Sequence, residues 1–231
     1  IVVLNKIDLV RKETQRVLQL AAQHLELTPE QIIPVVARTG ENLDKVLLSI
    51  AATEPGIVAA LGAALPQYRW RLAWRSIVSA ASIAAAIALI PLPILDFGPL
   101  LVTQSMMVLG IARIYNYKIT AARARELAVT FGLGFLGRSL FAQLSKLGGL
   151  PGWLLAAAIA SSTTVVMGYA AAIWFEKGER LSNESLKKLT AVMTQSLLSR
   201  LKSLGKKNRP DQQTLKQQVE QALEEAAIGK D

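Results

Sequence analysis

The sequence predicts an α/β segment joined to an α-helical membrane module: a partial parallel sheet of two strands, followed by a helical hairpin bundle. Three observations predict it. Residues 1–53 alternate short β-branched apolar runs with stretches of helical periodicity, the pattern of parallel strands joined by crossover helices. Ser76–Leu95 and Leu147–Phe175 contain no charged residue, and a bilayer-crossing helix needs about 20 mostly apolar residues at about 1.5 Å of rise each. The chain has a net charge of +9 over 231 residues, and basic clusters flank the apolar block as they do on the cytoplasmic side of anionic lipid. The expected division is an α/β part (1–53), a linker with an interfacial helix (54–75), the helical membrane-associated part (76–175) and a basic helical cytoplasmic tail (176–231).

In the first part, Ile1–Leu4 reads as a strand buried on both faces. Arg11–Leu25 places Val17, Leu18, Ala21 and Leu25 on one helical face. Thr28-Pro29 is a turn and Ile32–Val36 a second strand, held to the sheet edge by Pro34, which has no N–H to give. After a loop at Thr39-Gly40, the residues Leu43, Val46, Leu47 and Ile50 mark another helix, which Glu54-Pro55-Gly56 ends.

Ile57–Leu65 is a short apolar helix stopped by Pro66. Gln67–Arg75 interleaves Tyr68, Trp70 and Trp74 with Arg69, Arg71 and Arg75, as at headgroup level. Pro91, Pro93, Gly98 and Pro99 break the apolar block around Asp96. Ser76–Ile90 and Leu100–Ala112 then form the arms of a hairpin, either re-entrant and tilted or two clean spans. Asp96, at its tip, is a functional residue at membrane depth or lies in a wet turn. Thr120 is placed to cap a helix Ala121–Lys146. Gly152–Phe175 lacks the polar stripe of a soluble core helix, so it reads as a span, with Trp153 and Trp174 near the two interfaces; a buried helical core is the alternative. Residues 176–209 carry nine Lys or Arg against three Glu, and Gln212–Ala227 reads as a partner-binding or coiled-coil helix.

No Cys is present, which excludes disulfides and thiolate metal sites, and the single His24 reads as an ordinary surface residue. Gly132–Ser139 fits a glycine-rich phosphate loop in letters only: a helical pattern precedes it, and Arg138 stands where the phosphate-cradling Lys belongs. It reads as a small-residue face for helix packing. Asp96-Phe97-Gly98 stands without the other kinase elements. No nucleic-acid-binding motif accompanies the basic charge, and no nucleic-acid partner is expected.

Asn5-Lys6-Ile7-Asp8 follows the first strand, and Val36-Ala37-Arg38-Thr39-Gly40 follows the second. A carboxylate can accept from both N1–H and the 2-amino group of guanine, which suits Asp8; Asn5 can bond base and loop, Lys6 can lie over the base, and the Ala37 N–H can meet O6. These residues resemble the fourth (N/T-K-x-D) and fifth (S-A-K) motifs of the P-loop GTPases. Val36 departs from Ser and Arg38 from Lys; Arg38 can still stack on the base. The resemblance implies a Ras-like partial sheet that binds guanine nucleotide, GTP, through Asn5, Lys6, Asp8, Ala37 and Arg38. No G-x-x-x-x-G-K-[ST] follows a strand and no D-x-x-G is present. With Ile at residue 1, the chain is expected to be a fragment that begins downstream of those motifs, and magnesium is expected only with that earlier part. No catalytic residue and no metal ligand are expected within 1–231, and the fragment alone is expected not to hydrolyse GTP.

Residues 57–180, through IPLPILDFGPL, VLGIARIYNYKIT and GLGFLGRSL, resemble the membrane-associated domain of unknown function family 697, which follows a GTPase domain in some bacterial proteins. The resemblance implies a bacterial inner-membrane GTP-binding protein with its nucleotide part and tail in the cytoplasm. Membrane lipid is an expected partner, and the C-terminal helix is the expected contact for a protein partner. The alternative is a non-enzymatic helical membrane or scaffold protein with a degenerate nucleotide fold.

Overall fold

A computed structural model describes residues 1–89, 98–125, 151–201 and 210–226. The chain divides into two units, Ile1–Leu72 and Ala73–Asp231.

In the first unit, β1 (Val2–Leu4) and β2 (Ile32–Pro34) pair in parallel, Val2 beside Ile32 and Leu4 beside Pro34. Pro34 is tolerated because, among the described residues, β2 pairs with β1 alone. Helix α1 (Thr14–His24) lays Leu18 and Ala22 on Ile32, with Val2, Leu4, Ala21 and Leu27 around them. Its buried stripe is thus Leu18–Ala22 rather than one that includes Leu25, which is exposed. Among the described residues, α1 covers one face of the pair. Val3 on the other side is 41% exposed, which corrects the reading of a strand buried on both faces.

The helix predicted from Arg11 also begins later. Residues Ile7–Glu13 wind as 3₁₀ turns, and Val10 breaks the helical dihedrals before α1 starts. At its end, Glu26 takes a left-handed conformation while Leu27 N–H donates to Ala22 O at 2.9 Å, a turn that closes the helix before the predicted boundary. Helices α2 (Leu43–Thr53) and α3 (Val58–Ala64) follow.

Two arginines read from sequence as headgroup anchors are held within this unit: Arg71 pairs with Asp44 at 2.9 Å, and Arg69 Nε–H donates to Gly62 O at 2.8 Å.

Helix α4 runs unbroken over Arg69–Ala88. In the second unit it is followed by α5 (Gly98–Ile114), α6 (Gly152–Lys177), α7 (Asn183–Leu201) and α8 (Gln212–Ala226). The longest apolar run, α6, is the central helix of the bundle, buried almost throughout from Leu154 to Phe175. Gln104 meets Thr164, and Tyr117 meets Phe175, so α5 and α6 run the same way. Ser162 meets Thr194, while Leu186 packs on Val166 and Ala170, so α7 runs antiparallel to α6.

Local chemistry sets the ends. Asn116 sits in the left-handed region and Tyr117 N–H returns to Ala112 O at 2.7 Å, stopping α5. Thr120 Oγ1 accepts the Arg123 N–H at 3.2 Å, the predicted cap, and helix continues over 121–125. Gly178, at φ 73°, ends α6. Asp211 caps α8 through the hydroxyl and N–H of Thr214, bonds that hold its carboxyl below the ordinary range. A depressed carboxyl stabilises the fold above its unfolded pKa, and the cap is lost as acid protonates it.

The apolar face of α8, Leu215, Val219 and Leu223, is buried against the chain's own bundle, with Ser82 donating to Glu220 at 2.8 Å and Arg200 paired with Glu225 at 2.8 Å. The stripe that sequence offers to a protein partner is thus covered by this chain. The hairpin tip with Asp96, the Gly132–Ser139 stretch and most of the helix read over Ala121–Lys146 fall in 90–97 and 126–150, outside the described residues.

The Gln104–Thr164 bond joins two buried side chains at 3.0 Å. Thr164→Val keeps the shape and leaves the Gln104 amide without this acceptor, so it is expected to cost about 1–3 kcal/mol. Adding Gln104→Leu should recover most of that loss. Urea unfolding of both single variants and the double variant measures the coupling.

Candidate functional site

The N-K-I-D and A-R-T-G stretches lie side by side because β1 and β2 are parallel and end together. Leu4 O accepts the Val35 N–H at 2.8 Å, and Val35 O accepts the Ile7 N–H at 3.3 Å. Both segments therefore leave the carboxyl ends of neighbouring strands, where ligands bind in open parallel α/β sheets. Asn5 Oδ1 joins them directly, accepting the Ala37 N–H at 3.0 Å and the Lys6 N–H at 2.8 Å. Lys6 takes a left-handed conformation, φ 64° and ψ 36°, which turns the chain sharply into the segment that carries Asp8.

Val36 closes the second loop through its backbone. Its N–H donates to Glu41 O at 3.1 Å, and its carbonyl accepts the N–H groups of Thr39 and Gly40. Its side chain is buried, so where the GTPase motif has Ser, this loop closes on main-chain bonds and an apolar anchor. Gly40 supplies φ 83°, reached without a Cβ penalty. Asn42, also left-handed, donates from Nδ2 to Pro34 O at 2.9 Å.

Asp8 is half-buried, and its Oδ1 is sealed from solvent with no hydrogen-bond partner among the described residues. Ala37, Arg38, Lys6 and Asn5 are exposed. The Ala37 N–H, assigned from sequence to guanine O6, is engaged by Asn5 here. Two residues that sequence reasoning missed also join the segments: Arg11 pairs with Glu41 at 3.1 Å. Thirty positions separate them, and no local pattern announces the pair. Exposed as it is, the bridge contributes at most about 1 kcal/mol.

In the helical unit the geometry bears on where lipid can meet the chain. Pro66–Ala88 and Gly152–Lys177 are long and apolar enough to cross a membrane. Of the apolar window in Gly152–Lys177, 89% is buried inside the protein itself, so most of this helix's surface meets other parts of the chain. Lipid around this packed arrangement would also surround α7, which exposes Lys187, Lys188 and Arg200. Each such charge costs about 2.5–3.5 kcal/mol at the centre of a bilayer. Trp174, expected at an interface, stacks on Phe175 under the guanidinium of Arg180, 4.8 Å from the ring.

The family described as Domain of unknown function (DUF697) matches residues 58–203. The chain belongs to this family. The DUF697 match takes in α3 through α7 and leaves the strand-end site at Asn5–Asp8 and Ala37 outside it. No curated protein matches the chain. No solved structure matches it either.

Proposed function

We propose that residues 1–53 read a guanine base, and that the DUF697 helices associate with a membrane, so that the chain is part of a membrane-associated GTP-binding protein. One observation carries the nucleotide reading: two parallel strands end together and set Asn5, Lys6 and Asp8 beside Ala37 and Arg38, the two loops joined through the Asn5–Ala37 bond. The N1–H and 2-amino groups of guanine are donors of the kind a carboxylate accepts. Arg38 and Lys6 are exposed and long enough to lie over the base. The proposed contacts are to the base alone. In this reading the helices lie at a bacterial inner membrane, with the nucleotide segment and tail on the cytoplasmic side, and nucleotide state alters the helical unit.

A second reading, a non-enzymatic scaffold with a degenerate nucleotide fold, is favoured by the engagement of the Ala37 N–H with Asn5. Ligand titration followed by NMR separates the two. The 231-residue chain is expected to prefer GMP over AMP, to bind guanosine, GDP and GTP with similar affinities because no phosphate loop is present, and to show no GTP turnover. Equal binding of GMP and AMP, or none of either, would leave the scaffold reading standing.

A further inference from the structure

If α6 is the core of the bundle, another surface has to meet the lipid. The outward side of α5 has the required character. Val102 and Met106 are 62% and 63% exposed, Leu109 is half-buried, and Arg113 is exposed at the end of the same stripe. At 3.6 residues per turn these four positions fall within about 60° of arc. A soluble helix carries polar residues on its outer face; this one stays apolar for two turns and then becomes basic. The inner side of α5 is committed elsewhere, with Met107, Val108, Ile111 and Gln104 buried.

Charge identifies the occupant. Residues 98–125 contain Arg113, Lys118, Arg123 and Arg125 and no Asp or Glu. All four basic residues are exposed, and Tyr117, beside Lys118, is 41% exposed. An apolar stripe that ends in cations and an aromatic ring fits acyl chains below an anionic headgroup layer.

We propose that α5 is the lipid-docking surface of this domain: it lies in the interface of an anionic bilayer with Val102, Met106 and Leu109 among the acyl chains and Arg113 and Lys118 at the phosphates, while α6 stays inside the bundle. This rests on the membrane reading above and adds which face binds and how.

The chain has no Cys, so single cysteines at 102, 106 and 192 can each carry an environment-sensitive fluorophore on the full chain. Val192, on α7, is 60% exposed and serves as a control of matched exposure. With vesicles of phosphatidylglycerol and phosphatidylcholine containing a doxyl-labelled lipid, the probes at 102 and 106 should shift to the blue and be quenched, while that at 192 stays aqueous. Val102→Asp with Met106→Asp should lower vesicle partitioning at least about tenfold, with an unchanged circular dichroism spectrum and melting temperature. Flotation with vesicles while the probes at 102 and 106 stay aqueous would overturn the α5 assignment and leave the membrane reading intact. Failure to float at all would remove both. Binding to pure phosphatidylcholine vesicles as strong as to the anionic ones would overturn the role of Arg113 and Lys118. Concentration-dependent shifts at 102 without lipid, with dimers in the ultracentrifuge, would assign the face to a second copy instead.

Discussion

If residues 1–53 read guanine as proposed, Asp8→Asn is expected to weaken guanine binding and favour xanthine. The carboxylate offers two acceptors, matched to N1–H and the 2-amino group. An amide offers one acceptor and one donor, and xanthine presents N1–H with a carbonyl at C2. Two charge-assisted hydrogen bonds of about 1.5–3 kcal/mol each are at stake, less what water returns at a half-buried site. A loss on the order of 100-fold in guanine over xanthine discrimination follows. Competition between GMP and XMP on the parent chain and the variant measures it. Unchanged selectivity would remove Asp8 from the site, whatever the affinity of the chain for nucleotide.

The second large effect is expected at Gly168, buried in the middle of α6. A Cβ there would stand 2.5 Å from Ile77 Cγ1 and 3.1 Å from both Ile77 Cδ1 and Met107 Sδ. Ile77 is itself fully buried, so its side chain has nowhere to retreat. Gly168→Val is expected to destabilise the bundle by about 3 kcal/mol, at the upper end for overpacking. That corresponds to a melting temperature lower by roughly 10 °C for a unit of this size. Gly168→Ala should cost less, because alanine regains about 1 kcal/mol of helix propensity over glycine. Combining Gly168→Val with Ile77→Ala should return part of the loss, since the cavity and the added methyls occupy the same place. Strict additivity in urea unfolding would show that the clash relaxes elsewhere.

The candidate site was legible as far as its chemistry is local. A β-branched run followed at once by Asn5–Asp8, and a second run followed by Ala37–Gly40, placed both segments at strand ends, and the parallel pairing brings them together. What holds them was not legible. The Asn5–Ala37 bond spans 32 positions and the Arg11–Glu41 bridge spans 30, and neither follows from periodicity. The closure of the second loop by Val36 was hidden for another reason: backbone groups carry the bonds, and the side chain only fills space.

In the helical unit, sequence by itself determined the existence and length of the apolar helix α6 and the cap at Thr120, because helix periodicity and capping hydroxyls act within a few residues. Only the tertiary structure decided what that apolar surface faces. Run length sends α6 to the bilayer, yet Ser162 bonds Thr194, Thr164 bonds Gln104, and α5 and α7 cover the helix. The same structure leaves the less conspicuous stripe at Val102 and Met106 outside. The reason is physical: removing an apolar side chain from water is favourable whether the new surroundings are acyl chains or other side chains. Hydrophobicity along the chain therefore states that a surface will be covered, and only the arrangement of the neighbouring helices states by what.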